Sequence, residues 1–367
     1  MKKELKIKFY KLRKFYERYE KYLIPAALTF GFITDNFTFR VIGFSNLIYV
    51  FLGHLLFVGV NIGAINYFKE NPPTGRIKHY WQFLAPLFVQ FSFGNLFNGF
   101  LIYYFQSGSF FASWPFFLVL ILLIIGNEVT RRYDITPILQ ISVYFFSIFA
   151  YLNLVFPHVL KSLGVSVFLG SGLLSLVSII GFIYITSRFS KRIKIRKKKL
   201  WTAVALVFIF VNVLYFTNLI PPIPLALKDV GIYHNITKTN NHYEVIGEKC
   251  QNWDRCLFTK KKIHITKEKE PIYIFNAVHA PSEMNLEVVH EWKRYDSQKD
   301  EWITKAKLDY PMQGGREEGY RFYTYKQVTP GLWQVDIKTK RGQIIGRKSF
   351  QVIKSNKEPD FLKNKVD

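Results

Sequence analysis

The stretch Arg188 to Lys199, RFSKRIKIRKKK, divides an apolar segment ending near Ser187 from another beginning at Leu200. Lys and Arg beside a membrane span stay on the cytoplasmic side, so this run sets the direction of the last span and the side on which the rest of the chain emerges. Everything after Pro221 is therefore expected outside the cytoplasm. The sequence speaks to placement first; no cluster of residues in it spells out a reaction.

Working outward, the 367 residues are 49% hydrophobic and 18% aromatic, yet the mean hydropathy is only +0.07. A very apolar half is being averaged with a polar one. The formal net charge of +24 would suggest nucleic acid in a soluble protein. Much of the excess lies in the N-terminal arm and in the 188–199 run, both beside spans. The basic balance therefore reads as topology and contact with anionic membrane lipids, with no nucleic-acid partner.

Residues 1–21 interleave Lys and Arg with Leu5, Phe9, Leu12, Tyr16 and Tyr19, as a membrane-hugging amphipathic arm does. A seven-span domain is expected over 22–220. The first span, from Tyr22, has no small-residue cleavage site after it and reads as an anchor, not a removable signal. The others are expected near 43–68, 81–106, 111–128, 135–156, 165–187 and 200–220. Gly59 and Gly63 would let a neighbouring helix approach the second span closely. Ser171, Ser175 and Ser178 read as a packing seam on the sixth. Two basic blocks on one side of the membrane need an even number of crossings between them, and six fit. A seventh delivers the chain outside, where Pro221, Pro222 and Pro224 make a stiff linker over 221–227. The expected location is the bacterial cytoplasmic membrane, with the N-terminus inside and the C-terminal domain in the periplasm.

From residue 228 to 355 the apolar period shortens to alternating runs, among them 286–295, 320–328, 332–338 and 343–353, with Gly314-Gly315, Pro330-Gly331 and Arg341-Gly342 as turns. Short strands at this spacing predict an all-β, immunoglobulin-like sandwich, followed by a polar tail over 356–367. In Leu286-x-Val288-x-His290-x-Trp292 the apolar face carries the histidine, so His290 reads as a core or rim residue, not a ligand. Glu287, Glu291 and Lys293 face the other way.

Val289-His-Glu-Trp, Gly314-Gly-Arg-Glu-Glu-Gly-Tyr-Arg, Pro330-Gly-Leu-Trp-Gln-Val-Asp and Gly342-Gln-Ile-Ile-Gly-Arg together resemble the bacterial domain-of-unknown-function family 2914. Membrane-half words, Gln90-Phe-Ser-Phe-Gly, Ser113-Trp-Pro-Phe, Gly126-Asn-Glu and Ser171-Gly-Leu-Leu-Ser-Leu, are similar to members of it too. Gln334 departs from the pattern, where the resemblance sets an Arg, and Asn98 stands where it sets a small residue. The family has no assigned activity, so the resemblance implies architecture only.

Several groups are candidates for chemistry. Asp35 with Arg40, and Glu128 with Arg131 and Arg132, are ionisable sets at span ends, read mainly as interface pairs. His54 lies near the middle of the second span and is explained by one interhelical hydrogen bond or by a polar pathway. No two histidines have zinc-like spacing, so neither metal nor cofactor is expected. Phosphate-loop, nucleophile-elbow and metalloprotease motifs are all missing from the sequence. Cys250 and Cys256 are expected to close a small disulfide outside the cytoplasm, restraining the unfolded chain by roughly 2–3 kcal/mol. The glycines Gly314, Gly315 and Gly319, with Arg316 and Arg321, form a candidate anion cradle, beside which Tyr320 and Tyr323 would stack on a sugar. Glu317 and Glu318 oppose that field. The favoured reading is an envelope interaction protein whose β domain binds a glycan, lipid headgroup or protein. The alternative is a membrane-embedded transporter or lipid- or glycan-modifying enzyme using polar residues between helices. Oligomeric state is not legible.

Overall fold

In the computed structural model the described residues are 33, 35, 37, 44–71, 76–108, 110–129, 136–239, 242–248, 261–281, 284–315 and 319–366. The basic arm, the first expected span apart from three positions, Arg40, Arg131, Arg132, Cys250, Cys256 and Arg316 lie outside them. So does the side chain of Glu128. The chain folds as two compact units. One comprises Met1–Ile102, Leu118–Leu152 and Leu173–Ile209; the other comprises Tyr103–Phe117, Asn153–Gly172 and Phe210–Asp367.

Seven helices are described: α1 Phe44–Glu70, α2 Arg76–Gln106, α3 Phe110–Val129, α4 Pro137–Leu160, α5 Val165–Phe189, α6 Lys191–Ile195 and α7 Lys197–Phe216. Four of them, α1, α4, α5 and α7, are long and apolar enough to cross a membrane, and α3 holds a shorter apolar stretch, Ala112–Asn127. The expected count of seven such spans is thus four among the described residues. One reason is local: α2 carries Pro86, Gln90, Asn95 and Asn98 within its 31 residues. Helix α3 is kinked at Ser113, ahead of Pro115.

The basic run is itself helical, interrupted only at Ser190 and Arg196. Ser190 takes an extended conformation, so α6 starts with amides its own helix cannot satisfy. Glu70, at the end of α1, supplies the acceptor. Its carboxylate accepts the Lys191 amide at 2.7 Å, the Arg192 amide at 2.5 Å and the Ser190 hydroxyl at 2.7 Å. A carboxylate at a helix N-terminus also meets the positive end of the helix dipole.

Within the helical unit, Gly59 and Gly63 of α1 have a packing reason. A Cβ on Gly59 would come within 2.4 Å of the Tyr144 hydroxyl on α4, and one on Gly63 would meet Thr186 of α5 at 3.5 Å. Asn66 bridges α1 to α4 by donating to Gln140 at 3.0 Å. Gln90 and Asn127 exchange side-chain-to-carbonyl bonds at 3.3 and 2.9 Å, which joins α2 to α3. Ser171 and Ser175 are buried, as a seam requires, but Ser178 is exposed. All three lie on one helical stripe, so Ser178 leaves the seam along the helix axis, not around it, and its hydroxyl donates to the Leu174 carbonyl at 2.8 Å.

Eleven strands are described in the β unit: β1 Ala226–Tyr233, β2 Asn235–Thr239, β3 His242–Glu248, β4 Lys261–Ile265, β5 Glu270–His279, β6 Asn285–Asp296, β7 Glu301–Gln313, β8 Tyr320–Val328, β9 Gly331–Thr339, β10 Ile344–Lys354 and β11 Phe361–Val366. They form three sheets, ordered β1-β5-β8, β4-β10-β9-β6-β7 and β11-β3-β2. All pairs are antiparallel except β4 with β10. The segment 356–367, read as a polar tail, includes β11, which pairs with β3.

Strand β5 shows why the layers stack. Ile272 and Ile274 point into the core shared with Trp292, Trp333, Val335 and Phe350 of the five-stranded sheet, and Val278 into the one shared with Val288 and Ile337 of the same sheet. The opposite face, Tyr273, Phe275 and Ala277, packs on Ile236 and Val245 of the third sheet. A strand covered on both faces is apolar nearly throughout, as this one is. Each such large aliphatic or aromatic side chain taken from water contributes about 1.5–3 kcal/mol, an upper value because the unfolded chain is already partly collapsed.

Candidate binding face of the β domain

Alternation along β6, β9 and β10 sends one set of side chains inward and leaves the other on the outer face of the five-stranded sheet. The outward residues are Glu291 and Lys293 on β6, Gln334, Asp336 and Lys338 on β9, and Arg347 and Ser349 on β10. Register aligns them in rows. Arg347, Asp336, Glu291 and Lys307 of β7 stand directly opposite one another across four strands. Ser349, Gln334, Lys293 and Thr304 form the neighbouring row.

Two carboxylates facing each other across adjacent strands repel. Here the diagonal lysines cancel that repulsion. Lys293 lies 2.9 Å from Asp336 and 3.2 Å from Glu291, and Lys338 pairs with Glu291 and lies 3.7 Å from Asp336. Arg347 grips Asp336 through both nitrogens, at 2.6 and 3.1 Å. Gln334 donates to the same carboxylate at 3.1 Å, and Thr304 donates to Glu291 at 3.0 Å. The Asp336 side chain is 0% exposed, so this coordination replaces water completely.

Burial alone would raise the Asp336 carboxyl, but the Arg347 and Lys293 bonds outweigh it and hold the group below the usual range. For Glu291 burial also opposes ionisation. The Lys338, Thr304 and Lys293 bonds prevail and bring it down to about 2. Burial works against the Lys293 ammonium, yet its bonds to Asp336 and Glu291 raise it overall. These are fixed charges, not groups poised to exchange protons near neutrality. Four cations meet two carboxylates, and Lys307, at the rim, is 65% exposed.

On the inner face, His290 is fully buried, bonded through Nδ1 to Thr324 at 2.8 Å and through Nε2 to Tyr310 at 3.3 Å. Asn276 donates to the Tyr310 hydroxyl, which leaves that hydroxyl's own proton for His290 Nε2. Nδ1 is then the donor and the ring is neutral. Burial pushes its pKa down to about 3. His290 is a core residue.

The expected anion cradle is assembled differently. The Gly314 amide donates to Met284 at 2.8 Å and that of Gly315 to Ala280 at 3.0 Å, so two of the amides meant for an anion hold carbonyls instead. A Cβ on Gly314 would fall 1.9 Å from the Pro281 carbonyl oxygen, and Gly319 has φ +88 against Val278. These glycines answer to backbone crowding and turn geometry. Tyr320 and Tyr323, three apart on β8, project from opposite faces: Tyr320 packs into the sandwich core, while Tyr323 packs on Tyr243 and Tyr273 toward the third sheet. They cannot grip one sugar together. Arg321 shares the Tyr323 face.

The intramembrane candidates stay separate from these. Asp35 accepts a bond from Asn98 at 3.0 Å, and His54 lies edge-on to Phe91 at 6.1 Å. Among the described residues no three His, Cys, Asp or Glu side chains are grouped to hold a metal ion. Glu248 does lie between two imidazoles, 2.8 Å from His234 and 2.8 Å from His264, but the nitrogens facing it are spent on its carboxylate. Sequence reasoning placed Glu291 and Lys293 outward without seeing that they meet β9 and β10. The usable signal was opposite charges two residues apart on neighbouring strands.

Residues 285–352 match the family described as protein of unknown function, DUF2914. The chain carries a DUF2914 domain. That stretch runs from β6 into β10 and contains every residue of the charged rows, while the membrane-half words fall outside it. Glu291, Asp336 and Arg347 come from three of its separate words. No curated protein matches the chain. Among solved structures, a beta-glucosidase from Listeria innocua in complex with gluconolactone is 10% identical over 33% of this chain, with a TM-score of 0.19. This chain covers 17% of that protein's length. The alkylpurine DNA glycosylase AlkC of Pseudomonas fluorescens, bound to DNA containing an abasic site analog, is 9% identical over 84% of this chain and 99% of that one, with a TM-score of 0.20. Nothing about this chain follows from scores that low.

Proposed function

We propose that the protein is a multi-span anchor of the bacterial cytoplasmic membrane that presents its DUF2914 domain to the periplasm as a binding module for an acidic envelope glycan or protein. The observation that carries this reading is the outer face of the five-stranded sheet, where four cations and two carboxylates are locked across four strands. Preorganised charge favours recognition, because little side-chain freedom is left to lose on binding. The same saturation argues against proton-transfer catalysis on this face.

An immunoglobulin-like sandwich is the finer fold reading. The order β1-β5-β8 against β10-β9-β6-β7, with Trp292 buried on β6, supports it. In that reading β2, β3 and β11 are an added layer. The run at 188–199 supports an orientation with the N-terminus and that run inside, and seven crossings remain the proposed total.

Photo-crosslinking in living cells tests the binding role. A benzoyl-phenylalanine at Lys307 or Thr304 is expected to capture an envelope component, while one at the exposed Tyr325, on the middle sheet, is not. Equal adducts from all three positions, or none from the first two, would remove the outer face as the binding surface.

A further inference from the structure

Within the helical unit, Glu70 closes α1, Phe189 closes α5 and Lys197 opens α7, with the short α6 between the last two. On an unbroken helix, residues three apart drift steadily round the axis. The interruptions at Ser190 and Arg196 cancel that drift, so Arg188, Lys191, Lys194 and Lys197 all come to one cleft. Glu70 fixes the arrangement by accepting the Lys191 and Arg192 amides.

The cleft has a volume of about 820 Å³, within the size range of sites that hold a small molecule. Arg192 joins the four cations in lining it, and Glu70 is the one carboxylate of the lining among the described residues. Both Glu70 oxygens are committed, to the two α6 amides and to the Ser190 hydroxyl. The lining thus carries four more cations than carboxylates, and like charges held this close repel. Arg188 is set in place, its guanidinium 4.7 Å over the Tyr184 ring and donating to the Tyr184 hydroxyl. Lys191 and Lys194 are exposed. So are two large apolar residues of the same lining, Phe189 at 63% and Ile195 at 83%.

We propose that this cleft binds one membrane lipid whose headgroup carries two phosphates, with Arg188, Lys191 and Lys194 meeting the phosphate oxygens and Phe189 and Ile195 lying along the acyl chains. Charge sets the number of phosphates: a single phosphodiester brings one negative charge and leaves most of the excess unmatched. Position sets the lipid. The cleft lies where α1, α5 and α7, all of membrane-spanning length, end together, which is headgroup depth, and basic pockets between spans hold such headgroups. A general attraction of basic runs to anionic lipids would draw on all the lysines alike, whereas this site draws on those in the cleft. The inference rests on the reading of these helices as spans; it uses no residue of the outer face of the β domain, so its failure would leave the crosslinking test of that face untouched.

The test uses delipidated full-length protein in a non-ionic detergent, titrated with tetraoleoyl cardiolipin, dioleoyl phosphatidylglycerol and inorganic pyrophosphate, with bound molecules counted by native mass spectrometry. One cardiolipin per chain is expected to saturate the site, about tenfold more tightly than phosphatidylglycerol. Two double variants separate the cleft from the run. Lys191→Gln with Lys194→Gln removes two charges from the lining, and Lys198→Gln with Lys199→Gln removes two equally exposed charges that do not line it. Both should melt at the wild-type temperature, because all four side chains are exposed. The first should weaken cardiolipin about tenfold and the second about twofold. Should the first melt early, Lys194→Gln against Lys198→Gln makes the same comparison. Equal weakening inside and outside the cleft would assign binding to the run as a whole and refute the site. Phosphatidylglycerol binding as tightly as cardiolipin would refute the two-phosphate headgroup, and pyrophosphate doing so would make this a free-phosphate site and overturn the lipid.

Discussion

Replacing His290 with Gln should remove most of the mild-acid sensitivity of the β domain. The imidazole is neutral inside the sandwich, and burial depresses its pKa from 6.5 to about 3. A group depressed in this way is protonated in the unfolded chain before it is protonated in the folded one. The unfolded state therefore binds more protons between those two values, and stability falls as the pH is lowered through them. At pH 5 the unfolded imidazole lies roughly 1.5 pH units below its midpoint, which favours unfolding by about 2 kcal/mol relative to pH 7.5. Gln is neutral throughout and similar enough in reach to contact Thr324 or Tyr310, so its own cost is nearly independent of pH. The assay is hydrogen exchange of β6 and β8 amides in the detergent-solubilised full chain at both pH values. Comparing variant with wild type at each pH cancels intrinsic exchange rates. Wild type should lose about 2 kcal/mol more than His290→Gln on going from pH 7.5 to 5. Equal losses would show that His290 is not held neutral, and the packing argument for it would fail.

Other perturbations have similarly definite outcomes. Glu291 is depressed from 4.5 to about 2, so its contribution is intact above the higher value and vanishes as pH falls toward the lower; Glu291→Gln should flatten acid unfolding between pH 4.5 and 2 by up to about 3 kcal/mol, measured by the same exchange. Gly59→Ala should lower the melting temperature of the solubilised protein, despite alanine's better helix propensity, because its Cβ meets the Tyr144 hydroxyl; adding Tyr144→Phe should restore part of the loss, and no restoration would contradict the close approach of α1 and α4. Gly314→Ala should cost more than 2 kcal/mol by forcing Cβ into the Pro281 carbonyl, read as faster exchange of the Met284 and Gly314 amides.

Helices and strands were legible wherever one periodic pattern decided the burial. Apolar runs of about 20 residues placed α1, α4, α5 and α7 to within a few residues, and alternation placed β6, β8, β9 and β10. Gly231 to Thr237 reads in the sequence as one alternating run, yet the chain breaks at His234 into β1 and β2, and nothing in its polarity announces the break. β11 was hidden for another reason. Its residues Phe361 to Lys365 are exposed, so no apolar stripe marks it; backbone pairing to β3 alone defines it as a strand. The candidate cradle failed on a point that spacing cannot reveal. Glycine permits both an open nest and a close backbone crossing, and the carbonyls of Ala280 and Met284 decide which one forms.

The charged rows explain why words far apart in the sequence belong together. Asp336 cannot be buried on the outer face unless β10 brings Arg347 and β6 brings Lys293 to the same level, so losing one partner leaves an uncompensated charge, not a missing contact. This couples the choice of residue on three strands. Gln334 illustrates the coupling. The family resemblance sets an Arg at this position, and an Arg would place another guanidinium beside a carboxylate that Arg347 already grips through both oxygens. Gln334 instead donates one neutral bond to Asp336 and lies beside the Ser349 hydroxyl at 3.4 Å. The substitution lowers the positive charge of the face by one while keeping Asp336 coordinated. It follows that Gln334→Arg should raise the affinity of the face for an acidic partner captured through Lys307, and should leave the fold intact only if the new guanidinium can reach past Ser349 to solvent. A variant that folds and captures less of that partner would show that positive charge is not what the face uses for recognition.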